Sequence, residues 1–483
     1  MPAIEKISIK EKLGFALGDT ACNLYFVTFM TFMPIFYTDI FGVSAAAMGT
    51  MFLVTKIWDA VNDPMMGVLA DRSNTRWGKY RPFLLYGSLP LAIAGVLTFT
   101  TPDLTDSGKL IYAYITYTLV MMLYTLVNVP YAALMGVMTP DTKDRTTISS
   151  FRFVGVFAGQ LIALTAVTKL PKYLGGEGVA NAKGYQITII LLSILAAILL
   201  YITFFSTKER VHPPKGQRNP IGQDIKDLIG NAPWLMIGIA TFFQLFFVSL
   251  PGGVRTYYFK YFVSNGDVAL FGIHLKNGWS EDNLLLAYMV SGTLCTILGV
   301  IATKFISRIF GKAFTYWGSL LVAIIVTALN YFLKNDDLNL IFVINLVRSF
   351  VVGPVSAMQW AMYADCADYN EWKTGRRSTA LIMAASLFAL KFGLAIGAAV
   401  IGWALEAYGY VGKTIGADGV EIPAPETQSP EAIKGIIMLM SLIPAIIGLF
   451  AVGAMVLYPL STKKMSEIED DLMARRKQEE ESQ

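Results

Sequence analysis

Residues 56–64 read Lys-Ile-Trp-Asp-Ala-Val-Asn-Asp-Pro and lie in the middle of an otherwise apolar stretch, residues 46–69. About 20 apolar residues are enough to cross the ~30 Å hydrocarbon core of a membrane as a helix. Ionisable side chains inside such a helix cost roughly 2.5–3.5 kcal/mol each on insertion scales, so they predict a functional site. The stretch therefore indicates both a membrane fold and the location of its chemistry.

Asp59 and Asp63 are four residues apart, so they lie one above the other on one helix face. Two carboxylates this close in a low dielectric do not both stay ionised unless a cation or a proton lies between them. Pro64 has no N–H, which deprives the Ala60 carbonyl of its helical partner and leaves another oxygen for the site. Such oxygens suit a hard monovalent cation. The alternative is that Lys56, on nearly the same face, forms an internal ion pair that only fixes packing.

The composition extends this reading to the whole chain. Of 483 residues, 54% are hydrophobic and 15% are charged, and the mean hydropathy is +0.52. Globular proteins carry about 25% charged residues, so much of the apolar surface here must face lipid. The net charge of +4 is too small and too scattered to indicate a nucleic-acid partner.

Twelve apolar stretches are long enough to span a bilayer, and the sequence predicts an all-α membrane protein of twelve transmembrane helices in two six-helix halves. The predicted spans are 18–40, 46–69, 82–101, 110–138, 150–170, 185–206, 232–262, 282–305, 314–333, 339–364, 379–408 and 435–459.

The loops predict the orientation and the domain boundaries. Lys and Arg in the loops after even-numbered spans are about twice as numerous as those on the opposite side, which predicts that both termini are cytoplasmic. The predicted regions are a first half, a central cytoplasmic loop, a second half and a cytoplasmic tail, at residues 1–206, 207–231, 232–460 and 461–483. The charged tail has apolar residues at helical spacing, Ile468, Leu472 and Met473, and we expect a solvated helix there.

An internal repeat supports the division into halves. The sequence from Arg76 to Leu89 resembles that from Arg308 to Leu320, and Asp141-x-x-Asp144 resembles Asp365-x-x-Asp368. Both echoes are about half a chain apart, which predicts a parallel repeat with its substrate site between the halves near the bilayer midplane.

Other polar residues lie within the predicted spans. On span 4, Thr125 and Asn128 share a face just before Pro130, and on span 1 Asp19 and Asn23 do the same. The remaining embedded residues are cations, namely Arg152, Lys391, Arg255 and Arg348. For Arg255 and Arg348 the sequence leaves packing and gating roles open.

Enzymatic chemistry has no support in the sequence. The two histidines, His212 and His274, lie in polar connections, and the three cysteines are too far apart for a metal motif. There is no Walker loop or nucleophile elbow. We therefore expect no enzyme activity, no cofactor and no metal beyond a monovalent cation.

Two motifs resemble a known transporter family. Gly67-x-x-x-Asp71-Arg72-x-x-x-Arg76-x-Gly78-Lys79 resembles the signature loop of the major facilitator superfamily, and residues 58–64 resemble the helix II motif of its glycoside–pentoside–hexuronide:cation symporters. The stretch from Asp368 to Lys373, followed by Lys391, is similar to the family's approach to helix XI. We expect the charged residues of the cytoplasmic loops to gate the transporter, namely Asp71, Arg72, Arg76, Asp141, Arg145, Asp365 and Asp368.

The resemblance implies roles for individual residues. Asp59, Asn62, Asp63 and Thr125 correspond to the family's sodium site. Residues that correspond to the sugar site or adjoin it are Asp19, Asn23, Asn128, Arg152, Trp360 and Lys391. Asn23 and Asn128 replace two carboxylates of the melibiose permease pattern, and Ser356 stands in place of a tryptophan.

Exchanging two carboxylates for amides while keeping Arg152 and Lys391 makes the predicted sugar site more positive. This favours an anionic substrate such as a hexuronide. Neutral sugars stay open, because amides also suit hydroxyl groups and because Lys391 could pair with Asp59 or Asp63 instead.

The sequence thus predicts a monomeric, multi-pass symporter in a bacterial inner membrane, which couples a glycoside or oligosaccharide to Na⁺, Li⁺ or H⁺ by alternating access. One alternative is a transporter of a lipid-like or zwitterionic solute. The other is a sensor on the same fold, which the Asp59/Asp63 pair argues against because a sensor needs no coupling ion.

Overall fold

A computed structural model describes residues 7–73, 75–139, 142–176, 180–210, 228–264, 269–274, 278–375, 379–415, 421–422 and 424–481. Helices dominate this part of the chain. In chain order they are α1 (Ile9–Thr31), α2 (Ala45–Arg72), α3 (Arg81–Thr98), α4 (Asp106–Met138), α5 (Thr142–Leu174), α6 (Ala182–Ser206), α7 (Ala232–Tyr261), α8 (Glu281–Phe310), α9 (Lys312–Leu329), α10 (Leu338–Thr374), α11 (Thr379–Ala407), α12 (Pro430–Val456, in two segments that meet at Ser441) and α13 (Thr462–Glu481).

Each of the twelve predicted spans overlaps one of the helices α1 to α12, although the first, predicted at 18–40, is divided between α1 and the bent segment Met33–Phe41. Among the described residues, ten helices are long and apolar enough to cross a membrane, and α1 with the bent segment Met33–Phe41 makes an eleventh. The other predicted span is α2, whose 28 residues include Lys56, Asp59 and Asp63. Its length fits a membrane, and its polar residues set it apart from the others.

Local chemistry sets the ends of several helices. Ser8, Ser44, Thr105, Asn181 and Ser280 are N-caps whose side chains accept a backbone N–H of the first turn, as expected for these residue types. Some helices also continue beyond the bilayer. The 37 residues of α10 make a helix of about 55 Å, against a hydrocarbon core of ~30 Å.

The chain divides into two compact units. Unit 1 comprises Met1–Gly216 with Gly402–Ala432, and unit 2 comprises Gln217–Ile401 with Ile433–Gln483. A short antiparallel pair of strands, β1 (Thr414–Ile415) and β2 (Glu421–Ile422), lies in unit 1 between α11 and α12. The membrane-spanning part of the described chain is helical, as predicted.

Within unit 1, glycine brings α1 and α5 into close contact. A Cβ atom at Gly155 or Gly159 would overlap the backbone carbonyl of Ala16 or Thr20. The hydroxyl of Thr20 donates a hydrogen bond across this contact to the Gly155 carbonyl at 2.9 Å. In lipid the hydrophobic effect does not drive helices together. Small residues at the interface stabilise the contact instead, because they allow the backbones to approach closely and make extensive van der Waals contact.

Within unit 2, α7 is packed in the same way against α11. Cβ atoms at Gly393 and Gly397 would overlap the Phe242 carbonyl and the Ser249 side chain. On other helices, the Tyr363 hydroxyl of α10 shares a 2.6 Å hydrogen bond with Thr241 of α7 and accepts one from Gln359 at 2.8 Å. Hydrogen bonds between buried polar groups therefore fix the register of these helices.

The tail helix α13 is docked, so the prediction of a fully solvated tail is wrong. Ile468 is 0% exposed, and Leu472 and Met465 are also buried. They pack against Tyr369 and Trp372 of α10. The apolar stripe of α13 is thus covered by the C-terminal part of α10.

We expect Ile468→Ala to weaken this docking by about 2–4 kcal/mol, because it removes a buried branched side chain and leaves a cavity. Hydrogen exchange of the α13 amides should become correspondingly faster. Ser466→Ala, on the exposed side of the same helix, is the control and should leave exchange unchanged. Equal exchange rates in both variants would contradict the docking.

Candidate functional site

Thr125 of α4 joins the two carboxylates of α2. Its hydroxyl lies 2.8 Å from Oδ1 of Asp59 and 3.2 Å from Oδ1 of Asp63. Asp59 and Thr125 are both buried. One hydroxyl proton therefore serves two carboxylate oxygens, and three oxygen atoms from two helices converge at one point in the membrane interior.

Asn62 adds an amide to the same turn of α2. It is 1% exposed, and its Nδ2 atom has no hydrogen-bond partner among the described residues. An unsatisfied buried amide costs roughly 1–3 kcal/mol, so this side chain is held in an unfavourable environment. The helix also runs through Pro64 without a break, which leaves the Ala60 carbonyl without its usual helical donor.

Asp19 of α1 forms a second buried cluster with Arg152 of α5. Nε of Arg152 lies 2.6 Å from Oδ2 of Asp19, and Nη2 lies 3.2 Å from Oδ1. The hydroxyl of Tyr131 on α4 lies 2.7 Å from the same Oδ2. The guanidinium also lies near the rings of Phe15 and Tyr131. This is the two-point geometry that makes arginine–carboxylate pairs strong.

The ion pair corrects one premise of the sequence analysis. We expected Arg152 to make the sugar site more positive, but the carboxylate of Asp19 compensates its charge. Asn23 and Asn128, the two amides of that argument, are half-buried. Nδ2 of Asn23 donates to the backbone carbonyl of Asp19 at 2.9 Å, so α1 itself holds this amide.

The other two predicted sugar-site residues belong to unit 2. Trp360 of α10 is 48% exposed, and its ring meets that of Tyr363 edge-on at 5.7 Å. Lys391 is half-buried on α11. An indole face that is open on one side can stack on a sugar ring, because it combines a large apolar area with few rotatable bonds.

The predicted gating residues have different surroundings. Asp365 accepts Lys312 Nζ on both oxygens, at 2.7 and 2.8 Å. Arg76 stacks over the Trp77 ring at 4.2 Å, Arg72 is exposed in the last turn of α2, and Asp368 is half-buried. Asp141 and the side chains of Asp71 and Arg145 lie outside the described residues, as does His212.

Comparisons with known proteins agree on the type of protein. The family model for MFS/sugar transport proteins matches residues 14–462. The inner membrane symporter YicJ of Escherichia coli (strain K12) is 37% identical over 472 residues, which cover 97% of this chain and 95% of YicJ. The putative glycoside/cation symporter YagG of the same strain is 34% identical over 477 residues, or 98% of this chain and 96% of YagG.

The chain belongs to the MFS/sugar transport family.

The fold is that of the major facilitator superfamily. The crystal structure of a bacterial homolog of the human lysosomal transporter Spinster, inward-facing and unoccupied, matches with a TM-score of 0.64 at 14% identity, and covers 95% of this chain and 97% of that one. Membership in the sugar transport family confirms the resemblance to the glycoside–pentoside–hexuronide:cation symporters. The protein is therefore a multi-pass membrane protein of a transporter family.

Tyr131, which donates to Asp19, was not among the site residues predicted from the sequence. It follows Asn128 by three residues and Thr125 by six, so all three recur at helical spacing along α4. That spacing was the available signal. Gly18 completes the cluster, because a Cβ atom there would lie within 3 Å of the Tyr131 ring.

We expect Asp19→Asn to lower the free energy of unfolding by about 3 kcal/mol, because it leaves the Arg152 guanidinium deep in the protein without its carboxylate. The double variant with Arg152→Gln should regain most of this loss, since it removes the orphaned charge. Thermal or denaturant unfolding of the purified protein in detergent measures both effects. Additive losses in the double variant would show that the pair contributes no coupling energy.

Proposed function

We propose that this family member is a symporter that uses a cation gradient, with Na⁺ as the coupling ion, to import a glycoside or oligosaccharide by alternating access. The observation that carries the proposal is the Thr125 hydroxyl shared by Asp59 and Asp63. Family membership and the glycoside/cation symporter named among the relatives support it.

The proposed cation site consists of Asp59, Asn62, Asp63 and Thr125. Its candidate ligands are carboxylate, amide and hydroxyl oxygens, which suit hard cations. Two neighbouring carboxylates in an apolar helix repel each other, and a cation bound between them would reduce this repulsion. Li⁺ and H⁺ satisfy the same electrostatic demand, so Na⁺ is the proposal's choice among the three.

The proposed sugar site uses Asp19, Asn23, Asn128 and Arg152 of unit 1, with Trp360 and Lys391 of unit 2. In unit 1, Asn23 is one turn from Asp19 on α1, and Asn128 is one turn from Thr125 on α4. A sugar held by Asn128 and a cation held by Thr125 would therefore contact neighbouring turns of one helix. Coupling requires only that both ligands favour the same conformation.

An acidic glycoside remains part of the proposal, but Arg152 does not support it, because Asp19 compensates its charge. We also propose a monomer in a bacterial inner membrane with cytoplasmic termini. The excess of Lys and Arg in the loops after even-numbered helices supports this orientation.

We expect Asp59→Cys and Asp63→Cys to abolish Na⁺-stimulated glycoside accumulation in proteoliposomes while sparing part of the glycoside binding, because each removes a cation ligand and no predicted sugar ligand. Uptake of labelled glycosides with an imposed Na⁺, Li⁺ or H⁺ gradient measures this. Asp106→Cys, in the exposed first turn of α4, is the matched control. Equal Na⁺ stimulation in the wild type and both site variants would refute the cation site.

A further inference from the structure

Arg255 of α7 and Arg348 of α10 are two deep cations that the proposed function does not use. Arg255 is six residues before the end of α7 at Tyr261, and Arg348 is ten residues after the start of α10 at Leu338. These separations correspond to about 9 and 15 Å along the helices. Both arginines are therefore well inside their helices, within unit 2.

The two guanidinium groups lie near each other and near Tyr288 of α8. Arg255 and Arg348 interact electrostatically, and both interact with Tyr288. Arg348 also lies over the Phe247 ring, 5.6 Å from its centroid. Like charges at this range repel, so the cluster gains from any anion that binds there.

Neither arginine has an acidic partner within the part of the chain that the structure describes. Nε of Arg348 is buried without a hydrogen-bond partner, and the only hydrogen bond of Arg255 there is from its Nε to the Gly252 carbonyl at 2.8 Å. The sequence explains this, because residues 232–261, 283–335 and 338–364 contain no Asp or Glu.

Three other cations of this protein are compensated by a carboxylate. Arg152 pairs with Asp19, Arg210 pairs with Glu11 at 2.7 Å, and Lys312 pairs with Asp365. A guanidinium that is neither hydrated nor paired is costly in a membrane protein and marks a functional position. Arg255 and Arg348 differ from these three cations, because neither has an acidic partner among the described residues.

The polar surroundings of Arg348 are fixed in advance. Asn345, one turn before it on α10, donates through Nδ2 to the Tyr288 carbonyl of α8 at 2.8 Å. Ser349 donates to Oδ1 of Asn345 at 3.4 Å. Gly292 of α8 makes room, because a Cβ atom there would lie 3.0 Å from both side chains. Preorganised groups lose little freedom when a ligand binds.

The helix α7 is continuous at Pro251, but its hydrogen-bond ladder lacks one bond. Pro251 lacks an N–H, so the Phe247 carbonyl has no helical donor, and Gly252 and Gly253 follow. Nε of Arg255 donates to the Gly252 carbonyl, one residue after this proline. Proline- and glycine-interrupted helices are where transporters place substrate groups, because the break exposes backbone atoms and dipoles to the ligand.

We propose that Arg255 and Arg348 form an oxyanion subsite that binds the carboxylate of a uronic-acid glycoside. Two guanidinium groups can each offer a pair of parallel N–H donors to such a group, while the bond from Asn345 to the Tyr288 carbonyl holds α10, which carries Arg348, against α8. The subsite rests on the proposed function, since it assumes that the transported solute is a glycoside. It supplies the positive charge that Asp19 removes from Arg152.

The experiment measures ligand binding to the purified full chain by calorimetry in Na⁺ buffer. It compares an acidic with a neutral sugar in two pairs. The first pair is methyl β-glucuronide and methyl β-glucoside, and the second is a neutral xylose-containing disaccharide and its glucuronic acid-substituted counterpart. We expect the wild type to bind the acidic member of at least one pair about tenfold more tightly, as a charge-assisted bidentate contact allows. Arg255→Gln and Arg348→Gln should abolish that preference and leave binding of the neutral member within about twofold.

Arg308→Gln is the matched control, because it makes the same charge change at an exposed position near the end of α8 and should keep the preference. Arg348→Lys keeps the positive charge but lacks the paired N–H donors of a guanidinium, and it should keep part of the preference for the acidic glycoside. Retained binding of a neutral glycoside shows that a variant is folded. Repeating the titrations with fluoride, which has no carboxylate, in place of chloride shows whether the cluster binds chloride instead.

A wild type without acidic preference, a preference that survives both glutamine variants, or neutral binding that requires chloride would each overturn the subsite. These outcomes are distinct from failure of the proposed function. If the wild type accumulates a neutral glycoside with Na⁺ but shows no acidic preference, the symporter proposal stands and only the subsite fails. Absence of Na⁺-stimulated uptake of any glycoside refutes the symporter itself.

Discussion

Charge compensation inside apolar helices is the constraint on which the arrangement of this transporter depends. Lipid offers no water to solvate an ionised side chain, so each buried charge needs a partner from another helix or from a ligand. Asp19 meets Arg152 from α1 to α5, and Asp365 meets Lys312 between α10 and α9. The first pair joins α1 and α5 in the protein interior, and the second, whose lysine is 43% exposed at the first residue of α9, joins α9 to α10.

The same constraint separates structural charges from functional ones. A compensated pair such as Arg210 with Glu11 has no need of a ligand. Asp59 and Asp63 share one hydroxyl between two carboxylates, and Arg255 and Arg348 have no acidic partner in the described part of the chain. The proposals assign a cation to the first cluster and an anion to the second.

Most of the fold follows from the sequence, because helix length and hydropathy in a bilayer leave few alternatives. The predicted spans match α1 to α12, including α2, where only the context of neighbouring spans overcomes Lys56 and the two aspartates. The grouping of Asp59, Asp63 and Thr125 was also predictable, through the family motif and the four-residue spacing. For Thr125 this prediction rested on the family motif alone. Spacing along one helix says nothing about the neighbouring helix, so the contact between α2 and α4 could not be derived from the residues.

Two errors have the same origin. Arg152 was assigned a free positive charge because Asp19, more than 100 residues away, gives no local sign that it pairs with it. The tail was expected in solvent because its charged residues outnumber Ile468 and Leu472, although the docking surface on α10 is what decides their burial. Pairing across helices is a tertiary property, and the linear pattern identifies the candidates without choosing between them.

The Thr125 hydroxyl has a single proton for two acceptors. In the arrangement described here it acts as a donor and draws the two carboxylates towards one point. A metal cation at that point would need the oxygen of the same hydroxyl, so the proton would have to turn away from both acids. Rotation of the hydroxyl would then be enough to change Thr125 from a hydrogen-bond donor to the two carboxylates into a ligand of the cation. The backbone could therefore stay nearly the same with and without the cation.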